Sequence, residues 1–276
     1  MNQPRQIETA SNSVSQYKGG ITIKSSLERE AMRRAGAIVG AVLGILNASV
    51  EPGITTKDLD DIAYREITRR GGKPTFKGYR GFPASICTSV NEEIVHGIPG
   101  NRVLKEGDVV KMDCGATLDG FIGDAAISVP VGQVSEEYLR LIEATRLSLE
   151  AGIRASQPGN RIGDIGAAVQ EYGESRGYGV VRDYVGHGVG RFLHEDPQVP
   201  NYGQAGRGAL LRPGMCIAIE PMLNLGDWRT TLLDDQWTVV TSDRKLSSHF
   251  EHTIAIDEDG PVVLTVPDPE AEAALK

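Results

Sequence analysis

The sequence predicts a mixed α/β (α+β) fold built from two similar halves, and three observations support this: capped helices, short strand-like segments and an internal repeat. The chain has 276 residues, a formal net charge of −8 and 40% hydrophobic residues. This composition is typical of a globular protein and excludes wholesale disorder. The acidic balance argues against general electrostatic binding to nucleic acid or to an anionic membrane.

The first elements are two helices that open with capping boxes. Ser25 and Glu28 begin one helix, which ends before the Pro-Gly turn at 52–53. Thr55 and Asp58 begin the next, which ends at a pair of glycines. Short segments rich in valine and isoleucine follow and are interpreted as strands, and residues 135–153 are predicted to be helical again.

The second half of the chain repeats the first. Four segments match later segments in the same order: 51–72 matches 157–178, 94–99 matches 192–197, 104–113 matches 211–220, and 124–129 matches 251–256. Each match is weak alone, but the common order indicates two related halves. We predict halves at about 21–132 and 133–266 within a single domain over 21–276, because a lone half would expose its sheet.

The ends and the cysteines suggest a cytoplasmic protein. Residues 1–20 are polar and lack the apolar core of a signal peptide, so we expect a flexible N-terminal tail. Three cysteines without a CxxC spacing predict neither a disulfide framework nor a zinc finger, which fits a reducing compartment. The longest uncharged stretch, residues 35–50, is short for a membrane span.

The repeat aligns three pairs of chemically reactive residues: Asp113 with Glu220, Asp124 with Glu251, and His96 with His194. A cleft between the halves is a natural place for such a site. Asp119 and Gly120 predict a two-residue hairpin loop, whose register puts Asp113 and Asp124 on one face as diagonal neighbours about 7–8 Å apart. Taken alone, two solvated aspartates on an exposed hairpin fit the same segment.

The surroundings of the four carboxylates favour a metal site. Apolar strand residues flank each of them, and a buried carboxylate is costly unless it is paired or bound to metal. Two divalent cations would balance four negative charges. Oxygen ligands with one imidazole suit Mn, Fe, Co, Ni or Zn ions. His187, with a glycine on each side, is the candidate imidazole, and a hydrogen-bonded histidine in a glycine loop is the alternative.

Together these motifs resemble type I methionine aminopeptidases. The resemblance covers about residues 24–266 and is carried by VHGIPG, by aspartates in a D-x10-D spacing, by GHGVGRFLHEDP and by FEHTIAI. It implies the pita-bread fold, in which two helix-flanked halves surround a curved antiparallel sheet. It also implies metal-dependent removal of the initiator methionine from new proteins and peptides, with water activated by two metal ions.

The resemblance implies roles for thirteen residues. Five would be metal ligands: Asp113, Asp124, His187, Glu220 and Glu251. Asp124 and Glu251 would bridge both ions. Three would be catalytic: His96 and His194, near the scissile peptide, and Glu220, as a proton carrier. Six would form the methionine pocket: Phe76, Tyr79, Phe82, Cys87, Leu193 and Trp237.

Three further expectations accompany these roles. Phe76 stands where many bacterial members have cysteine, and Leu193 where phenylalanine is usual, so the shape of the pocket is expected to differ. A monovalent cation near Asn91 and Ser247 is also implied. The expected partners are the N-termini of nascent polypeptides near the ribosome, with no nucleic acid, no membrane and a monomeric state.

Other functions fit parts of the pattern. X-Pro aminopeptidases and prolidases share the five ligands but carry an added N-terminal domain, for which the roughly 20 residues before the first helix leave no room. Type II methionine aminopeptidases insert a subdomain between their last two glutamates, whereas Glu220 and Glu251 are 31 positions apart. A non-catalytic binding protein on this fold, or an unrelated metal-dependent phosphatase or nuclease, are the remaining alternatives.

Overall fold

The computed structural model describes residues 19–268, so nearly all of the predicted tail at 1–20 lies outside the described residues. The helices of this part of the chain are α1 (Ser26–Ser49), α2 (Thr56–Arg69), α3 (Glu136–Ala155) and α4 (Ile162–Glu174). Both predicted capping boxes are confirmed, because the side chains of Ser25 and Thr55 accept from the backbone N–H three residues later.

Most strands of the described residues are short. They are β1 (Lys73–Pro74), β2 (Ile86–Val90), β3 (Glu93–Val95), β4 (Val109–Leu118), β5 (Phe121–Pro130), β6 (Gly179–Val180), β7 (Gly186–Gly188), β8 (Glu195–Val199), β9 (Cys216–Ile219), β10 (Met222–Asn224), β11 (Thr230–Leu232), β12 (Val239–Thr241), β13 (Ser247–His249), β14 (Glu251–Asp257) and β15 (Gly260–Val263). Only β4 and β5 reach ten residues.

One antiparallel sheet runs through both halves. Its strands follow the order β1-β4-β5-β14-β9-β7-β8, while β2 also pairs with β4 and β15 also pairs with β14. The halves join where β5 pairs with β14, with Glu251 opposite Ala126. Two smaller three-stranded sheets, β13-β10-β6 and β11-β12-β3, complete the fold.

The long β4–β5 hairpin has the predicted register. Asp119 and Gly120 form its loop, both with positive φ, and Gly115 lies opposite Asp124. Because a two-residue loop fixes every later pair, Asp113 and Asp124 share one face of the sheet.

In both halves, the residue just before a helix, α2 or α4, forms an equivalent backbone bridge. Thr55 forms an isolated antiparallel bridge with Val103, and Arg161 forms one with Leu210. Next to these bridges, the N–H of Gly53 donates to the carbonyl oxygen of Leu104 at 2.9 Å. In the second half, the N–H of Gly159 donates in the same way to the carbonyl oxygen of Leu211 at 3.0 Å. The halves therefore share their scaffold down to individual hydrogen bonds.

Helix α1 packs unusually close to the sheet. A Cβ atom on Gly123 of β5 would lie only 2.6 Å from the Cα of Gly36 in α1, so this contact requires glycine on the strand. By length and composition α1 is apolar enough to cross a membrane, but 56% of its apolar window is buried inside the structure. It has the burial of a core helix, with Met32, Ile38 and Leu46 fully enclosed.

Candidate metal centre

The predicted site residues converge on one cavity. All thirteen line a space of about 170 Å³ between the halves, together with Arg80: Phe76, Tyr79, Phe82, Cys87, His96, Asp113, Asp124, His187, Leu193, His194, Glu220, Trp237 and Glu251. Its polar lining includes four carboxylates and three histidines, and the apolar residues form a wall of the same cavity.

Both halves supply acidic groups to this cavity. Asp113 lies on β4 and Asp124 on β5, whereas Glu220 directly follows β9 and Glu251 begins β14. Since β5 and β14 are neighbours in the sheet, residues far apart in the chain become adjacent. Asp113 and Asp124 share one face of the hairpin, and burial together with the charge of Asp113 raises the pKa of Asp124.

His187 is held in place by its two glycine neighbours. A Cβ on Gly186 would lie 2.3 Å from the carbonyl oxygen of Ala218, and one on Gly188 would lie 2.2 Å from that of Asp196. No side chain fits at such distances, so the glycines let β7 lie against its neighbours. The backbone on both sides of His187 is therefore tightly packed.

The distances within the cluster suit a shared cation. Asp124, His187 and Glu251 each offer a ligand atom, and these atoms all lie within 4.8 Å of one another. His187 Nε2 is 3.9 Å from Asp124 Oδ2 and 3.7 Å from Glu220 Oε1. Its Nδ1 lies 2.9 Å from the carbonyl oxygen of Gly188. Donation from Nδ1–H to that carbonyl leaves the Nε2 lone pair facing the carboxylates, which is the tautomer a metal ligand needs.

The carboxylates are costly to keep ionised without a cation. Burial raises the pKa of Asp113 to about 7. Burial and repulsion from neighbouring carboxylates raise the pKa values of Asp124, Glu220 and Glu251 well above their usual range. Within residues 19–268 the only ion-pair partner near any of the four is His187.

Three buried oxygens also lack a partner among the described residues: Asp113 Oδ1, Asp124 Oδ1 and Glu251 Oε1. Such groups normally find a hydrogen bond or a cation. Four carboxylates and one imidazole form a donor set of hard oxygens with one nitrogen, which fits divalent transition-metal ions. The residues present therefore fit the metal that the sequence predicted.

The other two histidines border the cluster on different sides. The hydroxyl of Tyr79 lies 2.8 Å from His194 Nδ1, and the rings of His187 and His194 are 4.3 Å apart. His96 has a left-handed backbone, with φ of 61°, and its ring meets Tyr184 edge-on. Burial lowers the pKa of His96 to about 4 and that of His194 to about 3, so both are neutral near pH 7.

The apolar wall brings together distant segments. Phe82 and Trp237 pack edge-on with their ring centroids 5.0 Å apart. Phe76 lies against the backbone of Gly115, where a Cβ atom would come within 2.7 Å of its ring. Leu193 closes the cavity from the loop before His194.

Sequence reasoning missed three residues of this region. Arg80 lines the cavity from a 3₁₀ turn, where its φ is 48°. Tyr184 contacts His96, and Thr253 hydrogen-bonds both the N–H and the carbonyl of Asp124, at 3.0 and 2.8 Å. The D-x10-D and glycine-flanked histidine motifs point to ligands, but no motif pointed to these neighbours, whose roles arise from tertiary contacts.

Comparison with known proteins identifies the family. The model of metallopeptidase family M24 matches residues 30–258. The chain belongs to metallopeptidase family M24. Within this family it is similar to methionine aminopeptidases: it is 52% identical to the enzyme of Clostridium acetobutylicum over 89% of this chain and 99% of the relative. It is also 52% identical to methionine aminopeptidase 1 of Bacillus subtilis, over 89% of this chain and 99% of that relative.

Solved structures agree with the predicted pita-bread fold, which is confirmed. The chain superposes on the methionine aminopeptidase of Thermotoga maritima with a TM-score of 0.88 and 47% identity, over 90% of this chain and all of that one. A prolidase from Pyrococcus furiosus has a TM-score of 0.72 but is 22% identical, over 89% of this chain and 66% of the prolidase. At that identity the likeness shows the shared fold alone.

Proposed function

We propose that this chain removes the N-terminal methionine from new polypeptides by metal-dependent hydrolysis. One observation supports this most strongly: four carboxylates, two buried and two half-buried, and a neutral imidazole line one cavity of about 170 Å³ together with an apolar wall. The relatives named methionine aminopeptidase, matched over nearly their whole length, support the same function.

We assign the metal ligands as the sequence predicted them. Asp124 and Glu251, whose ligand atoms lie close to that of His187, would hold the ions together with it. His187 and Glu220, 3.7 Å apart, would complete one ion's ligands, and Asp113 those of the other. When bound, two divalent cations would neutralise the carboxylates, polarise a carbonyl and lower the pKa of water toward about 7.

The remaining polar residues would handle the peptide itself. With the Tyr79 hydroxyl donating to His194 Nδ1, 2.8 Å away, the Nε2–H of His194 would donate to the oxygen of the scissile carbonyl as charge develops there. His96, neutral and half-buried, would hydrogen-bond the scissile amide. Glu220, raised in pKa by burial, would take a proton from the attacking water and pass it to the leaving amine.

The cavity would limit the reaction to one residue and select methionine. The free amino group of the substrate would bind beside Asp113, where the acidic cluster ends, so only a terminal peptide bond reaches the histidines. The methionine side chain of the substrate would lie in the cavity against the wall formed by Phe76, Phe82 and Trp237. Because one methylene is worth only about 1–3 kcal/mol in such a pocket, we expect slow cleavage of related apolar residues.

The setting follows from the substrate. N-termini of nascent chains are exposed as they leave the ribosome, so we propose a cytoplasmic enzyme working near it as a monomer. The net charge of −8 supports the expectation that it does not bind nucleic acid or anionic membranes directly.

Metal removal and replacement test this function. The purified chain, treated with chelator, should not cleave Met-Ala-Ser, and adding back Co, Mn, Fe, Ni or Zn singly should restore release of methionine at different rates. An X-Pro dipeptide and a phosphoester are assayed in parallel. Full cleavage by the metal-free protein, or cleavage of the X-Pro dipeptide or the phosphoester in preference to Met-Ala-Ser, would contradict the proposal.

A pair of substitutions on one hairpin tests the ligand assignment. Asp113→Asn should reduce turnover by about 10³-fold or more and lower the amount of bound metal while preserving the fold. Asp119→Asn is the matched control, because Asp119 is exposed in the hairpin loop and asparagine also accepts positive φ. Wild-type turnover and metal content in Asp113→Asn would refute the assignment.

A further inference from the structure

The turn at Asn91 joins three parts of the structure. Asn91 lies between β2 and β3 with φ of 58°. Its side chain donates to Asp108 Oδ1 at 2.8 Å and accepts from the N–H of Val109 at 2.9 Å. Its carbonyl oxygen accepts from the N–H of Ser247 at 3.1 Å. The turn therefore holds the start of β4 and the start of β13 together.

A buried lysine also reaches this turn. Lys111 lies on β4 and is only 1% exposed, which makes it one of the largest fully buried side chains. Its Nζ donates to the carbonyl oxygen of Asn91 at 2.7 Å. Lysine is almost never fully buried without a specific partner. Within residues 19–268 no carboxylate lies within ion-pair distance of Lys111, so its direct partner is this carbonyl.

The residues at this turn do not fit a monovalent cation. A carbonyl oxygen has two lone pairs, and those of Asn91 are taken by the Ser247 N–H and by Lys111 Nζ. A potassium or sodium ion bound to Asn91 would have to displace Lys111. It would also meet the positive charge of the ammonium in a buried place.

We propose that the Lys111 ammonium is a built-in cation that occupies the position beside Asn91 and Ser247, so that the protein needs no potassium or sodium ion there. Burial lowers the pKa of Lys111 to about 7, and Arg102 adds to this, whereas the negative charges of Glu93, Glu92 and Asp108 around it favour the ammonium form. A tethered ammonium also cannot dissociate when the salt changes. This inference concerns cation occupancy and stability, and it holds or fails independently of the proposed function.

The position of Lys111 gives the built-in cation a structural purpose. Asn91 is five residues before His96, and Ser247 is four residues before Glu251. Lys111 fastens the Asn91 carbonyl, which also accepts from the Ser247 N–H, to β4, which carries Asp113. It therefore helps to connect segments that end at three residues lining the cavity. A cation at this point therefore acts as a positioning group and touches no substrate.

Crystals soaked in rubidium chloride test the occupancy directly. Rubidium replaces potassium and is located by its anomalous scattering. We expect no rubidium peak beside the Asn91 carbonyl in the wild-type protein. In Lys111→Ser, which vacates the space and keeps a small polar group, we expect a peak there. A rubidium peak at Asn91 in the wild-type protein would overturn the proposal.

Thermal unfolding tests the same idea in solution, in potassium, sodium or tetramethylammonium chloride at equal ionic strength. The wild-type midpoint should be the same in all three salts. Lys111→Ser should melt about 10 °C lower in tetramethylammonium chloride and recover at least half of that in potassium or sodium. Lys111→Met, which fills the space without charge, should not recover in any salt.

Lys105→Ser is the matched control, because Lys105 is an exposed lysine in the turn before β4. It should behave as the wild type in every salt. An equal midpoint for Lys111→Ser in all three salts would contradict the proposal, since the vacated position would then not be a cation site. If Lys111→Ser does not fold, a wild-type midpoint that rises specifically in potassium or sodium still refutes it, and an invariant one supports it.

Discussion

The two halves of this protein share a scaffold but contribute to the site in different ways. The first half delivers Asp113 and Asp124 from a single hairpin of two ten-residue strands. The second delivers His187, Glu220 and Glu251 from three separate elements, of which β7 has three residues and β9 four. A rigid hairpin fixes two ligands through one register, whereas the second half fixes each ligand through its own packing.

Strand register also shows where the chemistry of the halves diverges. Val90 pairs with Val110 in the first half, and Gly188 pairs with Ile217 in the second. Val110 and Ile217 are equivalent in the repeat, so the residues before Val90 and Gly188 are equivalent too: Ser89 and His187. Ser89 uses its hydroxyl to accept the Gly97 N–H, whereas His187 offers an imidazole to the cavity. Duplication thus explains the framework and the four paired carboxylates, and a departure from it, histidine in place of serine, explains the imidazole.

The strongest test of this comparison separates the halves. Residues 19–132 and 133–268, produced as individual chains, should each fail to unfold cooperatively, because each would expose the β5 or β14 edge that now pairs across the seam. The full chain should unfold in one transition, as expected for a single domain over 21–276. Calorimetry and amide hydrogen exchange measure both. A sharp melting transition in either isolated half would contradict this view.

The equivalent histidines provide the next test. His96→Ala and His194→Ala should each reduce kcat by about 10²-fold, because each removes a hydrogen bond to the reacting peptide. Tyr79→Phe should affect turnover through His194 alone, since Tyr79 contacts that ring. Steady-state kinetics on Met-Ala-Ser, with Tyr64→Phe on the exposed face of α2 as the control, measures these effects. A Tyr79→Phe variant that lost as much activity again in the His194→Ala background would contradict the pairing.

The same histidines predict a pH dependence of stability. Burial lowers the pKa of His96 to about 4, below its ordinary value of 6.5. Between these values the unfolded chain binds a proton that the folded chain does not. The contribution of His96 is therefore fully present above pH 6.5 and decreases as the pH falls toward 4. Denaturant unfolding should show a smaller loss over this window in His96→Ala than in wild type, and an equal loss would contradict the assignment.

A smaller effect is expected at the seam between the halves. Thr253 on β14 accepts from the N–H of Asp124 and donates to its carbonyl, so it fixes a first-half ligand from the second half. Thr253→Val keeps the shape and removes both hydrogen bonds. It should weaken metal binding about tenfold, measured by competition with a chelator. Thr231→Val on the exposed strand β11 is the control, and an equal loss there would show that the effect is not specific to the seam.

Sequence patterns predicted most of the framework because those patterns are local. Capping boxes begin α1 and α2, and a two-residue loop sets the register that brings Asp113 beside Asp124. The repeat and the family resemblance together named all of the cavity's lining residues except Arg80.

What the sequence did not predict depends on contacts across the fold. The short strands β6 and β10–β13 have too few residues for a period to emerge. In the sequence, Lys111 is one polar residue within an apolar strand. Its hydrogen bond to the Asn91 carbonyl oxygen depends on how β2 and β4 pack, which the sequence pattern does not indicate. The hydrogen bonds of Thr253 likewise join residues 129 positions apart, a distance over which no local motif operates.

The apolar wall gives the smallest expected effect and the sharpest contrast with the family pattern. The Phe76 ring fits only because the β4 residue it lies against is Gly115, which pairs with Asp124. Gly115→Ala should push the Phe76 ring into the cavity and raise KM for Met-Ala-Ser roughly fivefold with little change in kcat, as an overpacking cost of about 1 kcal/mol would.

The substitution Phe76→Cys, which introduces the residue that the resemblance implies here, should remove the overlap in the Gly115→Ala background and return KM toward the wild-type value. Phe76→Cys alone should enlarge the pocket and improve cleavage of residues bulkier than methionine. The double variant decides between two causes, because a Cβ on Gly115 would also lie 3.1 Å from Thr75 Cβ. If the double variant keeps the high KM, the contact with Thr75 determines it and Phe76 does not shape the pocket. Recovery of the wild-type KM would mean that Gly115 and Phe76 together shape the pocket. Both residues come from the first half, whereas Leu193, from the second half, lines the same cavity.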